Sequence, residues 1–141
     1  MPSDRLFKTM NAVHRVALKL TGNRVGARLS GMQALELTTI GRKSGKPRSV
    51  MLTAPVQEGD AYVLVASRGG DDNHPAWFLN LRDNPAVEVQ VVGRPKQQMR
   101  ARIATPEERV RLWPIAVKQF KSYGDYQKRT NREIPLVIVE P

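Results

Sequence analysis

The hydrophobic period of this chain changes to two at Leu35 and keeps returning to that value, a pattern that strands sustain and helices do not. Leu35-Glu36-Leu37-Thr38-Thr39 alternates as a half-buried strand does. A turn at Gly41 to Pro47 leads to Ser49–Ala54, the expected antiparallel neighbour. After Glu58-Gly59-Asp60, the run Ala61–Ser67 is almost continuously apolar, which predicts a strand buried on both faces. Val87-Glu88-Val89-Gln90-Val91 and Gln97–Ile103 flank the turn Gly93-Arg94-Pro95 as a hairpin, with Met99, Ala101 and Ile103 on one side. Pro135-Leu136-Val137-Ile138-Val139 is a last buried strand.

Helical signals are fewer. Pro75–Arg82 reads as a short helix with Asn73 or His74 near its cap, stopped at Asn84-Pro85. Thr105-Pro106-Glu107-Glu108 has the form of a capping box and opens a helix to about Phe120, which Pro114 is expected to kink. Ahead of the strands, Leu6, Met10, Val13, Ala17 and Leu20 form an apolar stripe over Asp4–Leu20, while Arg5, Lys8, Arg15 and Lys19 fall off it. This basic amphipathic helix reads as a surface helix, a lid or a membrane-surface element. About six mainly antiparallel strands with short inserted helices fit a small α+β barrel better than a doubly wound sheet. The chain reads as one domain, with a helical region at 1–30 and a barrel at 31–141.

A chain of 141 residues with 40% hydrophobic residues can build a core. It has no cysteine, so disulfides, thiolate metal sites and a cysteine nucleophile are excluded. His14 and His74 are its two histidines and lack metal-ligand spacing, so no metal is expected. The formal charge of +10 favours an anionic partner: nucleic acid, an anionic membrane or a phosphorylated cofactor.

Three segments could carry chemistry. Gly41-Arg42-Lys43-Ser44-Gly45-Lys46-Pro47-Arg48 gathers four cations at one sheet end and can grip phosphate or carboxylate, or simply face water. It is not a P-loop, because its glycine spacing is wrong and Pro47 follows Lys46. Ser67-Arg68-Gly69-Gly70 leaves a buried strand toward a helix N-terminus, where backbone N–H groups can meet an acceptor, or forms an ordinary tight turn. These two loops follow strands expected to pair, which would bring them together. Phe120, Tyr123 and Tyr126 are spaced by three, as core packing or as a pocket wall.

Together, Thr38–Arg48, Val65–Gly70 with His74–Leu81, and Arg132-Glu133-Ile134-Pro135 resemble the deazaflavin-dependent nitroreductase family, whose members use coenzyme F420. The resemblance covers roughly residues 30 to 141 and implies a split β-barrel. It also implies a cofactor bearing a phosphate and an oligoglutamate tail. The family's tail-binding Lys and Arg fall on Lys43 and Arg48, with Arg42 and Ser44 beside them. Ser49, Val50, Met51, Leu52 and Thr53 would run beneath the ring system; Val65, Ala66, Ser67 and Arg68 would offer backbone donors and the Ser67 hydroxyl. The helix positions Ala76, Trp77, Phe78, Leu79 and Asn80 would face the cofactor, Trp77 packing on it and Asn80 hydrogen-bonding it. Tyr123 matches a cofactor-contacting tyrosine and Tyr126 a substrate-side one. Phe120 stands where some relatives have another tyrosine, and Thr53 replaces an aromatic position.

The implied activity is hydride transfer from the reduced deazaflavin to a small-molecule acceptor such as a quinone, an activated alkene or a nitro-compound. Ser67 and Tyr126 would stabilise or protonate the charge that develops. The expected location is cytoplasmic, with peripheral contact to the inner membrane face through the N-terminal helix. Rival readings are an FMN- or haem-binding split barrel, a non-catalytic coenzyme carrier and a basic nucleic-acid-binding module. For the last, no aromatic or recognition-helix signature is present, and nucleic acid is not expected. Nothing in the residues selects monomer or dimer.

Overall fold

The computed structural model describes residues 28–29 and 31–141. The helix expected over Asp4–Leu20 lies outside them. Among the described residues, eight strands form one sheet: β1 (Arg28–Leu29), β2 (Met32–Ile40), β3 (Pro47–Ala54), β4 (Val56–Glu58), β5 (Ala61–Val65), β6 (Ala86–Val91), β7 (Gln97–Ile103) and β8 (Leu136–Glu140). Every pairing is antiparallel. The six longer strands are those expected from the alternation of β2, β6 and β7, the turn before β3 and the apolar runs of β5 and β8; β1 and β4 are too short to carry a period. The helices are α1 (Ala76–Asp83), α2 (Pro106–Gln119) and α3 (Ser122–Lys128), with a 3₁₀ turn at Arg68–Gly70.

The hydrogen-bonded path runs β1-β2-β6-β7-β8-β5-β4, and β3 lies along the other edge of β2. Only Pro55 separates β3 from β4. Because β3 pairs with β2 and β4 with β5, one strand bent at a residue that cannot donate to a ladder links β2 to β5 and closes the sheet. The result is a split β-barrel of the α+β class. β2 and β5 are not neighbours, so the expected pairing of the strands before the two candidate loops is corrected. Barrel curvature brings those loops together instead.

Alternation divides the core in two. Leu35, Leu37, Val87, Val89, Val91, Met99, Ala101, Val137 and Val139 fill the interior together with Tyr62 and Leu64. On the outer face of β5 and β8, Val63, Val65, Leu136 and Ile138 pack against Leu112 and Ala116 of α2 and Tyr123 of α3. β5 is therefore apolar on both faces for a definite reason: one lines the barrel and the other lies under helices. α1 packs Phe78 and Leu81, each 2% exposed, into the interior cluster. Burying each contributes about 1.5–3 kcal/mol. Ile103, on the expected apolar side of β7, is exposed instead because it ends the strand.

The capping box is present. Glu108 N donates to Thr105 Oγ1 at 3.2 Å, and Thr105 N donates to Glu108 Oε1 at 2.9 Å. Pro114 stands inside α2 without ending it. It removes the usual donor to the carbonyl of Val110, a residue exposed to water. α1 begins at Ala76 with Pro75 as its cap residue and no side-chain cap, so neither Asn73 nor His74 caps it. The antiparallel register puts the loop after β2, the loop after β5 and the segment before β8 at one end of the barrel.

Candidate active site

The basic loop is a compact turn closed by its own backbone. Gly41 N donates to Lys46 O and Gly45 N to Gly41 O, both at 2.8 Å. Gly45 has φ +71°, which a side chain would strain. Arg42, Lys43, Ser44, Lys46 and Arg48 are exposed. Lys43, Lys46 and Arg48 form no ion pair among the described residues, so their charges stand clear of any acidic partner. From below, Asn80 of α1 holds this loop. Its Oδ1 accepts from Arg42 N at 3.1 Å and from Arg42 Nη1 at 3.4 Å, and its Nδ2 donates to Thr39 Oγ1 at 3.2 Å. Thr39 and Asn80 are both buried.

The second loop is held by Arg132. Its Nε donates to the Asp71 carbonyl at 2.8 Å, and its Nη2 donates to the carbonyls of Ser67 at 2.9 Å and Ala66 at 3.3 Å. Its Nη1 lies 3.1 Å from His74 Nδ1. A guanidinium only donates, so His74 Nδ1 accepts and the neutral ring carries its proton on Nε2. Burial, reinforced by Arg132 and Arg82, holds His74 below the usual histidine range. Asp71 lies below the usual carboxylate range, chiefly because Asn73 N donates to it at 2.8 Å and also because Arg68 is near. Thr130 Oγ1 donates to Asp72 Oδ1 at 2.8 Å, a further tie between the two segments.

This clamped loop carries strain. Arg68 has φ 45°, followed by Gly69 at 64° and Gly70 at 85°. A non-glycine residue there costs about 1–3 kcal/mol, which the surrounding bonds must offset. Ser67, which precedes it, is 8% exposed. Its carbonyl is taken by Arg132 and by Gly70 N, while its hydroxyl has no protein partner among the described residues.

The aromatic row does not lie on one helix. Phe120 ends α2 in an extended conformation, and Tyr123 and Tyr126 belong to α3. The rings still meet edge to face, with centroids 4.9 Å apart for Phe120–Tyr123 and 6.3 Å for Tyr123–Tyr126. Tyr123 is 6% exposed in the outer core. Its hydroxyl donates to Met32 Sδ at 3.7 Å. Burial pushes it up to about 12, partly countered by the Thr53 hydroxyl. Tyr126 is half-buried, with the Arg129 guanidinium 5.5 Å from its ring centre.

The remaining expected residues separate by strand and helix face. Val50 and Leu52 pack toward the barrel interior with Trp77 and Leu79. Met51 is buried, Ser49 Oγ lies 2.8 Å from Thr38 Oγ1, and Ala76 is exposed. Phe78 and Ala66 are core residues. Val65 is also buried, against the outer core. Thus Arg42, Lys43, Ser44, Arg48, Ser67, Arg68, Trp77 and Asn80 share one barrel end, while Tyr123 lies in the outer core against Met32 at the start of β2. Sequence reasoning assigned no site role to Arg132, Thr39 or His74. Arg132 was visible within Arg132-Glu133-Ile134-Pro135, but its bonds to residues over 60 positions earlier have no local signature.

A family model described as F420H(2)-dependent quinone reductase matches residues 9–141. The F420H(2)-dependent quinone reductase of Mycobacterium tuberculosis is 38% identical over 131 residues, covering 90% of this chain and 87% of that protein. A solved F420-H2 dependent reductase, FDR-A, is 42% identical with a TM-score of 0.68, over 76% of this chain and 93% of that one. A further solved chain, described as a domain-swapped dimer, is 37% identical with a TM-score of 0.71, over 94% of this chain and 99% of its own.

Proposed function

The chain belongs to the F420H(2)-dependent quinone reductase family, and from that premise we propose that the end of the barrel around α1 binds reduced coenzyme F420 and reduces a quinone-type acceptor. The family's cofactor is coenzyme F420, and its members are oxidoreductases. The donor set fits that cofactor: exposed Lys43, Lys46 and Arg48, without an ion pair among the described residues, suit a phosphate and a carboxylate tail beside Arg42 and Ser44. FMN, with one phosphate and no glutamates, would leave most of this charge unused.

When bound, the reduced deazaflavin supplies the hydride. In this reading the chain's own residues do the rest. Lys43 and Arg48 grip the tail; Ser49–Thr53 and Val65–Arg68 border the ring, with Trp77 packing beside it and Tyr123 supporting from below. Ser67 offers a hydroxyl to the oxygen on which negative charge develops, and Tyr126 can provide its proton from the acceptor side. The observation that carries the proposal is that, among the described residues, a Ser67 hydroxyl without a protein partner and a cationic loop without ion pairs at Lys43, Lys46 and Arg48 lie at the same barrel end, the loop tied to α1 through Asn80. Among the described residues no helix is long and apolar enough to cross a membrane; contact with anionic lipid through the basic amphipathic sequence of residues 4–20 completes the proposal, and liposome flotation tests it.

The deciding experiment is binding of oxidised coenzyme F420, followed by quenching of its fluorescence, with FMN as competitor. Tight binding that is lost in Lys43→Ala/Arg48→Ala supports the proposal. Preference for FMN, or binding indifferent to both substitutions, overturns it.

A further inference from the structure

Asn80 was expected to bond the cofactor, yet its carbonyl oxygen is engaged by both the backbone N–H and the guanidinium of Arg42. Its amide nitrogen donates to Thr39 Oγ1. Thr39 is 1% exposed, the last buried residue of β2 before the basic loop, and cannot touch a ligand. The three residues form a line from the barrel interior to the loop surface. Such a line matters here because the β2–β3 ladder fixes the base of the loop at Ile40 and Pro47, its internal bonds close the turn on itself, and the side chains of Lys43, Lys46 and Arg48 are in water; the Asn80 bonds are what tie the tip at Arg42 to the barrel. An amide whose oxygen and nitrogen are both engaged has a defined flip, and with it a defined position for Arg42.

We propose that Thr39 and Asn80 are positioning residues that aim the basic loop, and that through Arg42 they set the preference for a coenzyme bearing an anionic tail over the same ring system without one. The inference rests on the functional reading above and deepens it. It assigns the discrimination to a buried hydroxyl with no access to ligand. A hydrogen bond of this neutral kind corresponds to about threefold to tenfold in an equilibrium constant. The expected loss therefore falls on the tailed coenzyme alone.

The test uses the full chain and two probes: coenzyme F420 with its glutamate tail, and 8-hydroxy-5-deazariboflavin, which lacks phosphate and glutamates. Dissociation constants are measured by fluorescence quenching for the wild type, Thr39→Val and Thr39→Ser, with thermal unfolding recorded for each. The expected result is about a threefold to tenfold weaker grip on the tailed coenzyme in Thr39→Val, unchanged binding of the tailless one, and recovery in Thr39→Ser. Without any ligand, limited trypsin cleavage after Arg42 and Lys43 is expected to be faster in Thr39→Val. A Thr39→Val protein that keeps the wild-type ratio and the wild-type cleavage rate overturns the inference, as does equal weakening of both probes. A wild type that does not prefer the tailed coenzyme overturns the functional reading and this inference together.

Discussion

Arg132 and Ser67, 65 residues apart in sequence, are joined by a 2.9 Å hydrogen bond from the Arg132 guanidinium to the Ser67 carbonyl. The same guanidinium reaches Ala66, Asp71 and His74, so one side chain fixes both ends of a strained loop. Its planar fork of donors is what makes this possible; an ammonium offers three donors from a point and cannot span these acceptors. Arg132→Lys is expected to keep the charge and lose the clamp, lowering stability in urea denaturation by about 1–3 kcal/mol. A stability equal to wild type would show that the loop is held by other contacts.

Gly70 tests the packing of α3 on the same loop. A Cβ there would meet the Tyr126 carbonyl at 2.8 Å and Tyr126 Cα at 3.0 Å, both backbone, at φ +85°. Gly70→Ala should therefore cost about 2 kcal/mol or more, since backbone cannot swing aside as a side chain can. Thermal unfolding reads the stability. A loss of turnover larger than the unfolded fraction explains would show that Tyr126 has moved.

His74 should make stability depend on pH. Its folded pKa is depressed, so the unfolded chain takes up a proton first as pH falls below about 6.5. The neutral ring's contribution is complete above that value. It is lost progressively as pH falls from there to the lower folded pKa, where protonation would also set an N–H at Nδ1 against Arg132. Urea denaturation of wild type and His74→Gln between pH 7.5 and 5.5 isolates this from His14. The wild type should lose more stability on acidification, and parallel curves would remove His74 as the cause.

Ser67→Ala and Tyr126→Phe examine the chemistry. If these hydroxyls meet charge only as it develops, each substitution should lower kcat by about tenfold to a hundredfold while coenzyme affinity stays nearly unchanged. Stopped-flow reduction of a soluble quinone gives the rate, and fluorescence quenching gives the affinity. Rates equal to wild type in both variants would remove both from the mechanism.

The capping box supplies a control whose bonds involve none of the proposed site residues. Thr105→Ala removes the acceptor for Glu108 N and should cost about 1 kcal/mol. Coenzyme affinity should not change, because Thr105 and Glu108 bond each other and Arg102 and none of the proposed cofactor contacts.

Much of this was legible in the order of the residues. Period-two alternation marks β2, β6 and β7, apolar runs mark β5 and β8, and Thr105 with Glu108 announces the start of α2, because these signals depend on near neighbours in the chain. The cationic loop could be read for the same reason: four charges among glycines sit between two strands. Phe120, Tyr123 and Tyr126 show the limit of local spacing. Their steps of three suggested one helical face, yet the chain leaves the helix at Phe120 and starts another, and the rings meet through tertiary packing.

What only the tertiary structure decided was how the signals meet. The two loops were expected to come together by pairing of the strands before them, but β2 and β5 are not adjacent. Closure through the strand bent at Pro55 brings the loops to one end, and α1 links them: Asn80 holds Arg42, while His74, just ahead of the helix, meets Arg132. Phe78, which the resemblance sets among the cofactor-facing helix positions, packs its ring into the barrel core. Strand period and capping depend on short-range sterics and hydrogen bonds, so the amino-acid order determines them directly. The partners of Thr39, Asn80 and Arg132 depend on which distant backbone groups the closed barrel leaves buried and in need of a bond.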